Sequence, residues 1–247
     1  MPQSERESLR NDMFIRYNFR FGANGHRCVD LTLAGRTFDL RPLRPAPETP
    51  PTWTRLGAHR CANCALVASH HQCCPVALNL VPVVDLFHDA SSVTVVDIEV
   101  ETPNRTVVRQ VPLQEALSSL IGVIMATSGC PILDKLRPMV YTHLPLATPM
   151  ETHFRAVGMY YMAQHLIARR GGRPDWDVAG LAALYHEIRV VNACFSERLR
   201  AVVSRDASVN AIVRLDCLAV VSTEIIDDGC FDDFEPLFAA YLGPSPG

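Results

Sequence analysis

Residues 92–128 read SVTVVDIEVETPNRTVVRQVPLQEALSSLIGVIMATS, and within this stretch the chain changes its period. From Ser92 to Glu101 apolar and polar residues alternate and many are β-branched, which suits a pleated, half-buried strand. TPNR at 102–105 supplies a turn, and TVVRQV at 106–111 returns as the second strand of a hairpin. Pro112 then opens an amphipathic run, LQEALSSLIGVIMATS, which Gly129 ends, so a helix is expected there.

On the N-terminal side the strand period dominates. MFIRYNFRF at 13–21 alternates, GANGH with its Asn24-Gly25 pair turns the chain, and HRCVDLTLA at 26–34 alternates again. Gly35-Arg36 and TFDL follow, which together suggest an antiparallel meander. RPLRPAPETPPT at 41–52 is proline-rich and reads as an extended linker. Pro75 can open a helix as its first-turn proline, with Pro82 inside it as a possible kink.

On the C-terminal side helical patterns dominate. CPILDKLRPMV reads as a short helix stopped near Pro138, and long helices are expected over 149–169, 177–203 and 206–226. Strands first and helices second predict an α+β fold: N-terminal antiparallel β hairpins, a Cys/His metal knuckle and a C-terminal helical bundle. The expected division is a tail at 1–12, a β-rich part at 13–111 with the knuckle at 59–75, a helical part at 112–235, and a flexible tail at 236–247.

The chain has 247 residues, 48% hydrophobic and 20% charged, which is a globular and not a disordered composition. A net charge of -3 disfavours nucleic-acid binding through a broad basic surface. The charged start MPQSERESLRND has no apolar signal region, and the longest apolar stretches are too short to cross a bilayer, so a soluble cytoplasmic protein is expected.

Nine cysteines stand at 28, 61, 64, 73, 74, 130, 194, 217 and 230, and the odd count and scatter argue against a disulfide framework. Cys194 and Cys217 fall in apolar helical patterns and read as small buried hydrophobes, with Cys28 and Cys230 equally isolated. HRCANCALVASHHQCCPVA at 59–77 is different. Cys61, Cys64, His71 and Cys74 follow the spacing C-x2-C-x6-H-x2-C, and three thiolates with one imidazole form a closed zinc set. Closing such a site contributes about 10–16 kcal/mol in small zinc peptides, ample to order a loop with little core of its own. His59, His70 and Cys73 are alternative ligands beside the chosen ones. A redox-active or simply reduced CxxC is the bland alternative, weakened by the absence of an adjacent βαβ pattern.

An iron–sulfur cluster is a further reading, because Cys74-Pro75 and Cys130-Pro131 share the Cys-Pro form and Cys61, Cys64, Cys74 and Cys130 make four thiolates. Cys130 also stands at the break between two helices, where exposed N–H groups lower a thiol pKa, and with His143 it is a candidate nucleophile pair. Against this, Thr127 or Ser128 can cap the second helix, and His143 lies between apolar stretches as core histidines do. Met159, Tyr160, Tyr161 and Met162 read as helix core, and the acidic run Asp227, Asp228, Asp232, Asp233 and Glu235 lacks a calcium-loop pattern. No Walker loop, Rossmann fingerprint, HExxH or GxSxG is present.

WTRL at 53–56, CANCALVASHHQCCPVALNL at 61–80, MATSGCPILDKLRPM at 125–139 and HLPLATPMETHFRAVGMYYMAQ at 143–164 resemble a family of uncharacterised bacterial proteins. The resemblance covers roughly residues 50–220 and implies a CxxC pair, then a His and a Cys-Pro, then a Ser-Gly-Cys-Pro segment. Those positions are Cys61, Cys64, His71, Cys74 and Cys130 here, with Cys73 as a departure. It implies no activity. The expectation is therefore a zinc-stabilised interaction or regulatory module with a possible protein partner. The alternatives are a thiol-dependent enzyme or redox sensor using Cys130, and an iron–sulfur protein.

Overall fold

The computed structural model describes residues 11–45, 48–227 and 234–243. Strands β1 (Met13–Arg20) and β2 (His26–Leu33) form the first hairpin, with Tyr17 opposite Val29. Gly25 makes its turn at φ 108°, a backbone conformation that side chains with a Cβ resist, and its carbonyl accepts from Phe21 N–H at 2.9 Å. Strands β3 (Val95–Thr102) and β4 (Arg105–Pro112) form the second hairpin. β3 also pairs with β1, placing Val100 opposite Tyr17, so the antiparallel order is β2-β1-β3-β4.

The period-2 pattern decides which face of this sheet is dry. Ile15, Tyr17 and Phe19 of β1, Leu31 and Leu33 of β2, and Val96, Ile98 and Val100 of β3 are all buried. The other face is wet and carries ion pairs such as Arg16–Asp30 and Arg20–Glu99. Helix α1 (Pro75–Phe87) buries Val76, Leu80, Val83 and Phe87, and the Phe87 ring meets Phe19 edge-on with centroids 4.9 Å apart. Helix α2 (Leu113–Thr127) is central: it packs on β3 and β4 on one side and on helix α6 (Ala207–Asp227) on the other.

The remaining helices are α3 (Pro138–Tyr141), α4 (Pro149–Arg169), α5 (Ala179–Arg200) and α7 (Ala239–Leu242). Thr148 and Glu151 form a capping box at the start of α4, each side chain meeting the other's backbone N–H. α5 and α6 pair closely, and the buried apolar cluster runs without a break from Ile15 in β1 to Ala219 in α6. The architecture is α+β, with the sheet N-terminal and the helices mostly C-terminal.

Two expected elements differ. TFDL contributes only a single bridge, Leu40 to Leu33, because Arg36 and Phe38 take positive φ angles that break the strand. CPILDKLRPMV is not one helix but a 3-10 turn at Leu133–Leu136 followed by α3. Pro138 begins α3 where a stop was expected, since a first-turn proline has no N–H that the helix would need. Cys230 and the acidic residues Asp228, Asp232 and Asp233 lie outside the described residues. Among the described residues no helix is long and apolar enough to cross a membrane.

Candidate metal centre

The cysteine-rich segment Trp53–Cys74 is a loop whose two ends are pinned together. Leu56 N–H donates to Gln72 O at 2.9 Å, Cys74 N–H donates to Thr54 O at 2.8 Å, and Arg55 bridges Cys73. Cys64 N–H donates to Cys61 O at 3.1 Å, closing the tight turn that the C-x2-C spacing requires.

Helix α5 holds the loop from outside. Arg198, the largest fully buried side chain, donates through Nη1 to the carbonyls of Trp53 (2.5 Å) and Arg55 (3.1 Å) and through Nη2 to that of His59 (2.9 Å). Asn63 Nδ2 donates to Glu187 Oε2 at 2.6 Å and to its backbone carbonyl at 2.9 Å. Cys194 donates to the His59 carbonyl, with Sγ 2.6 Å from the oxygen, and is itself bonded by the Cys61 thiol.

Among the described residues every cysteine is a free thiol. The two Cys-Pro segments present theirs in the same way. Cys74 Sγ accepts from the backbone N–H groups of Ala77 and Val76, and Cys130 Sγ accepts from those of Leu133 and Ile132. A sulfur bonded by two N–H groups just after its own position is prepared to carry negative charge. Burial opposes this and pushes both thiols above their ordinary pKa. Cys61 is pushed up further, first by its hydrogen bond to Cys194 and then by burial.

These thiols are also close enough to feel one another's charge. Cys61 feels Cys74 and Cys64, Cys74 feels Cys130, and Cys130 feels Cys64. The buried Arg198 guanidinium lowers the pKa of Cys74, acting against the burial of that thiol.

The histidines stand elsewhere. His71 is exposed on the outer bend of the loop, where its N–H donates to Val67 O at 3.0 Å, whereas Cys74 turns inward at the start of α1. His59 and His70 are exposed too, and Cys73 accepts from Thr54 Oγ1 at 3.6 Å. Among the described residues no group of three or more His, Cys, Asp or Glu is placed to hold a metal ion as the side chains stand. Of the knuckle residues Cys61, Cys64, His71 and Cys74, His71 is exposed, Cys61 and Cys64 are half-buried and Cys74 is buried.

Cys130 and His143 are not hydrogen-bonded to each other. His143 Nε2 meets Tyr17 Oη at 2.7 Å, and burial, with Arg155 and Arg105 nearby, lowers its pKa to about 3. It is a neutral, satisfied core histidine. Cys217 is exposed and Cys194 half-buried beside Cys61, so neither is the buried hydrophobe expected of it.

Arg198 and Cys194 are the residues that the sequence reading passed over. A signal for Arg198 existed: it continues the buried stripe of Ile188, Val191 and Phe195, where a charge is out of place without partners.

The chain belongs to the family DUF6901, a domain of unknown function, whose pattern it matches over residues 15–239. No curated protein and no solved structure matches the chain.

Proposed function

We propose that this is an iron–sulfur protein whose cluster is held by Cys61, Cys64, Cys74 and Cys130. The observation that supports this is the pair of Cys-Pro segments, 56 positions apart, whose thiols feel each other's charge and that of the C-x2-C pair. Thiolate ligation favours zinc or iron–sulfur chemistry over hard cations. A single tetrahedral zinc needs its sulfurs about 3.8 Å apart, given Zn–S bonds of about 2.3 Å, and the described residues form no such group. A four-iron cluster is a larger body reached by one thiolate at each corner, so its cysteines stand farther apart than the ligands of a single zinc.

The surroundings would tune such a centre. Backbone N–H groups support the charged form of Cys74 and Cys130, and Arg198 places a fixed positive charge near Cys74. Both favour the more reduced, more negative state and so raise the reduction potential.

The test is iron, zinc and inorganic sulfide analysis on protein purified without air, with visible absorption and electron paramagnetic resonance after reduction. Iron and sulfide in equal amounts are expected. Cys61→Ser, Cys64→Ser, Cys74→Ser and Cys130→Ser should each lose them, while His71→Ala and Cys73→Ser should keep them. Zinc without sulfide, lost on His71→Ala, would return the site to the Cys/His zinc knuckle. Full iron content in Cys130→Ser would remove Cys130 from the ligand set.

A further inference from the structure

A cavity of about 430 Å³ lies between α2, α4, α5 and α6, within the range of small-molecule sites. Its wall is mostly apolar, including Val123 and Ala126 of α2, Ile188 of α5 and Leu215 of α6. Two polar side chains on this wall have donors without partners. Asn192 is 2% exposed, and its Nδ2 group has no acceptor among the described residues. Leaving a buried amide unpaired is costly, and an acceptor atom of a ligand in the cavity would remove that cost.

Arg155 is the second. Its Nη2 donates to the carbonyls of Met139 (2.6 Å) and Thr142 (3.0 Å), and its Nε is buried without an acceptor. Burial, with Arg105 nearby, lowers its pKa, so the cation is held at a disadvantage. The carboxylate whose charge it feels, Glu151, is already bonded to Thr148 N–H at 2.8 Å and Thr148 Oγ1 at 2.9 Å. A half-buried guanidinium with only carbonyl partners is short of an anion.

We propose that this cavity binds an amphipathic monocarboxylate, its hydrocarbon body against the apolar wall and its carboxylate taken by Arg155 and Asn192. The other cation on the wall, Arg214, is paired with Glu115, so Arg155 and Asn192 match one carboxylate, where a phosphate dianion would call for further free positive charge. The inference does not depend on the iron–sulfur reading, because none of the four thiols lines the cavity.

Decanoate is a suitable probe and decanol its neutral counterpart, each titrated calorimetrically into the purified full-length chain. Decanoate should bind more tightly than decanol. Gly122→Leu should abolish binding of both by filling the cavity; a Cβ at Gly122 meets only Leu215 Cδ2, at 3.5 Å, so the helix can accept it. Arg155→Met and Asn192→Leu should each weaken decanoate about tenfold or more, the loss of a charge-assisted or buried hydrogen bond, and leave decanol within about twofold. Should Arg155→Met not fold, Asn192→Leu still tests the headgroup, since it removes an amide that is unpaired without ligand. Equal binding of decanoate and decanol would overturn the headgroup assignment. Absence of binding, or binding unaffected by Gly122→Leu, would overturn the site.

Discussion

The sheet with α1 and α2 and the loop Trp53–Cys74 are held together by opposite means. In the sheet, buried aliphatic and aromatic side chains from β1, β2 and β3 meet those of the two helices, and few polar groups enter. In the loop only Thr54, Leu56 and Cys74 are buried. Its shape depends on polar groups of α5, Arg198, Glu187 and Cys194, that meet its carbonyls, its Asn63 amide and its Cys61 thiol. The first region is stable through burial alone. The second is stable only as long as its distant polar partners are in place.

The largest effect is expected in the sheet. Phe19→Ala should destabilise the protein by about 4 kcal/mol, as for a large core truncation, and urea unfolding should show the same loss with and without a metal chelator. A chelator-dependent loss would mean that the two regions are not separate. Arg198→Met should remove about 3 kcal/mol, the scale for breaking a buried charged network, and limited proteolysis should then cut first within residues 53–74. Uniform cleavage across the chain would contradict the clamp. Cutting in the loop with little change in global unfolding would sharpen the contrast.

His143 offers a pH-dependent test on the sheet side. Its folded pKa is about 3, against about 6.5 in an unfolded chain. Between those values the unfolded state binds one more proton, so stability rises with pH through this window at up to about 1.4 kcal/mol per pH unit. His143→Gln, which can still bond Tyr17, should flatten that slope in urea titrations from acid to neutral pH. An unchanged slope would place the proton uptake elsewhere. The smallest effect is expected far from both regions: Thr148→Ala should cost about 1 kcal/mol through loss of the capping box, read as a small shift in the urea midpoint with the loop's proteolysis unaltered.

What could be read from residue order follows from how local each signal is. Both hairpins, α1, α2 and the three long C-terminal helices were legible because period and turn residues act within a few positions. TFDL was misjudged because its backbone angles are set by the turn before it. The C-x2-C pair was legible for the same local reason, and Cys130 was noticed only through its proline. That its thiol feels the charge of Cys64 and that Cys74 feels it in turn depends on the tertiary fold, which no spacing encodes. His71 was chosen over the alternatives on spacing alone, and spacing does not say which way a side chain leaves a loop. Arg198 was readable in principle, as a charge on an apolar stripe, but its three acceptors lie in another part of the chain.

Arg198 lies 145 positions beyond Trp53, and this separation sets an order of events at the ribosome. At a synthesis rate of about 5–20 residues per second, the start of the loop precedes its clamp by roughly seven to thirty seconds. During that interval Cys61, Cys64 and Cys74 are already made, Cys130 arrives part-way through, and the cation comes last. The nascent chain therefore exposes its thiols to oxidants and to free metal ions before the Arg198 guanidinium is in place. On the iron–sulfur proposal, fidelity of loading would rest on the environment of the emerging chain, and overexpression that outruns iron supply should yield folded protein with less than its full iron content.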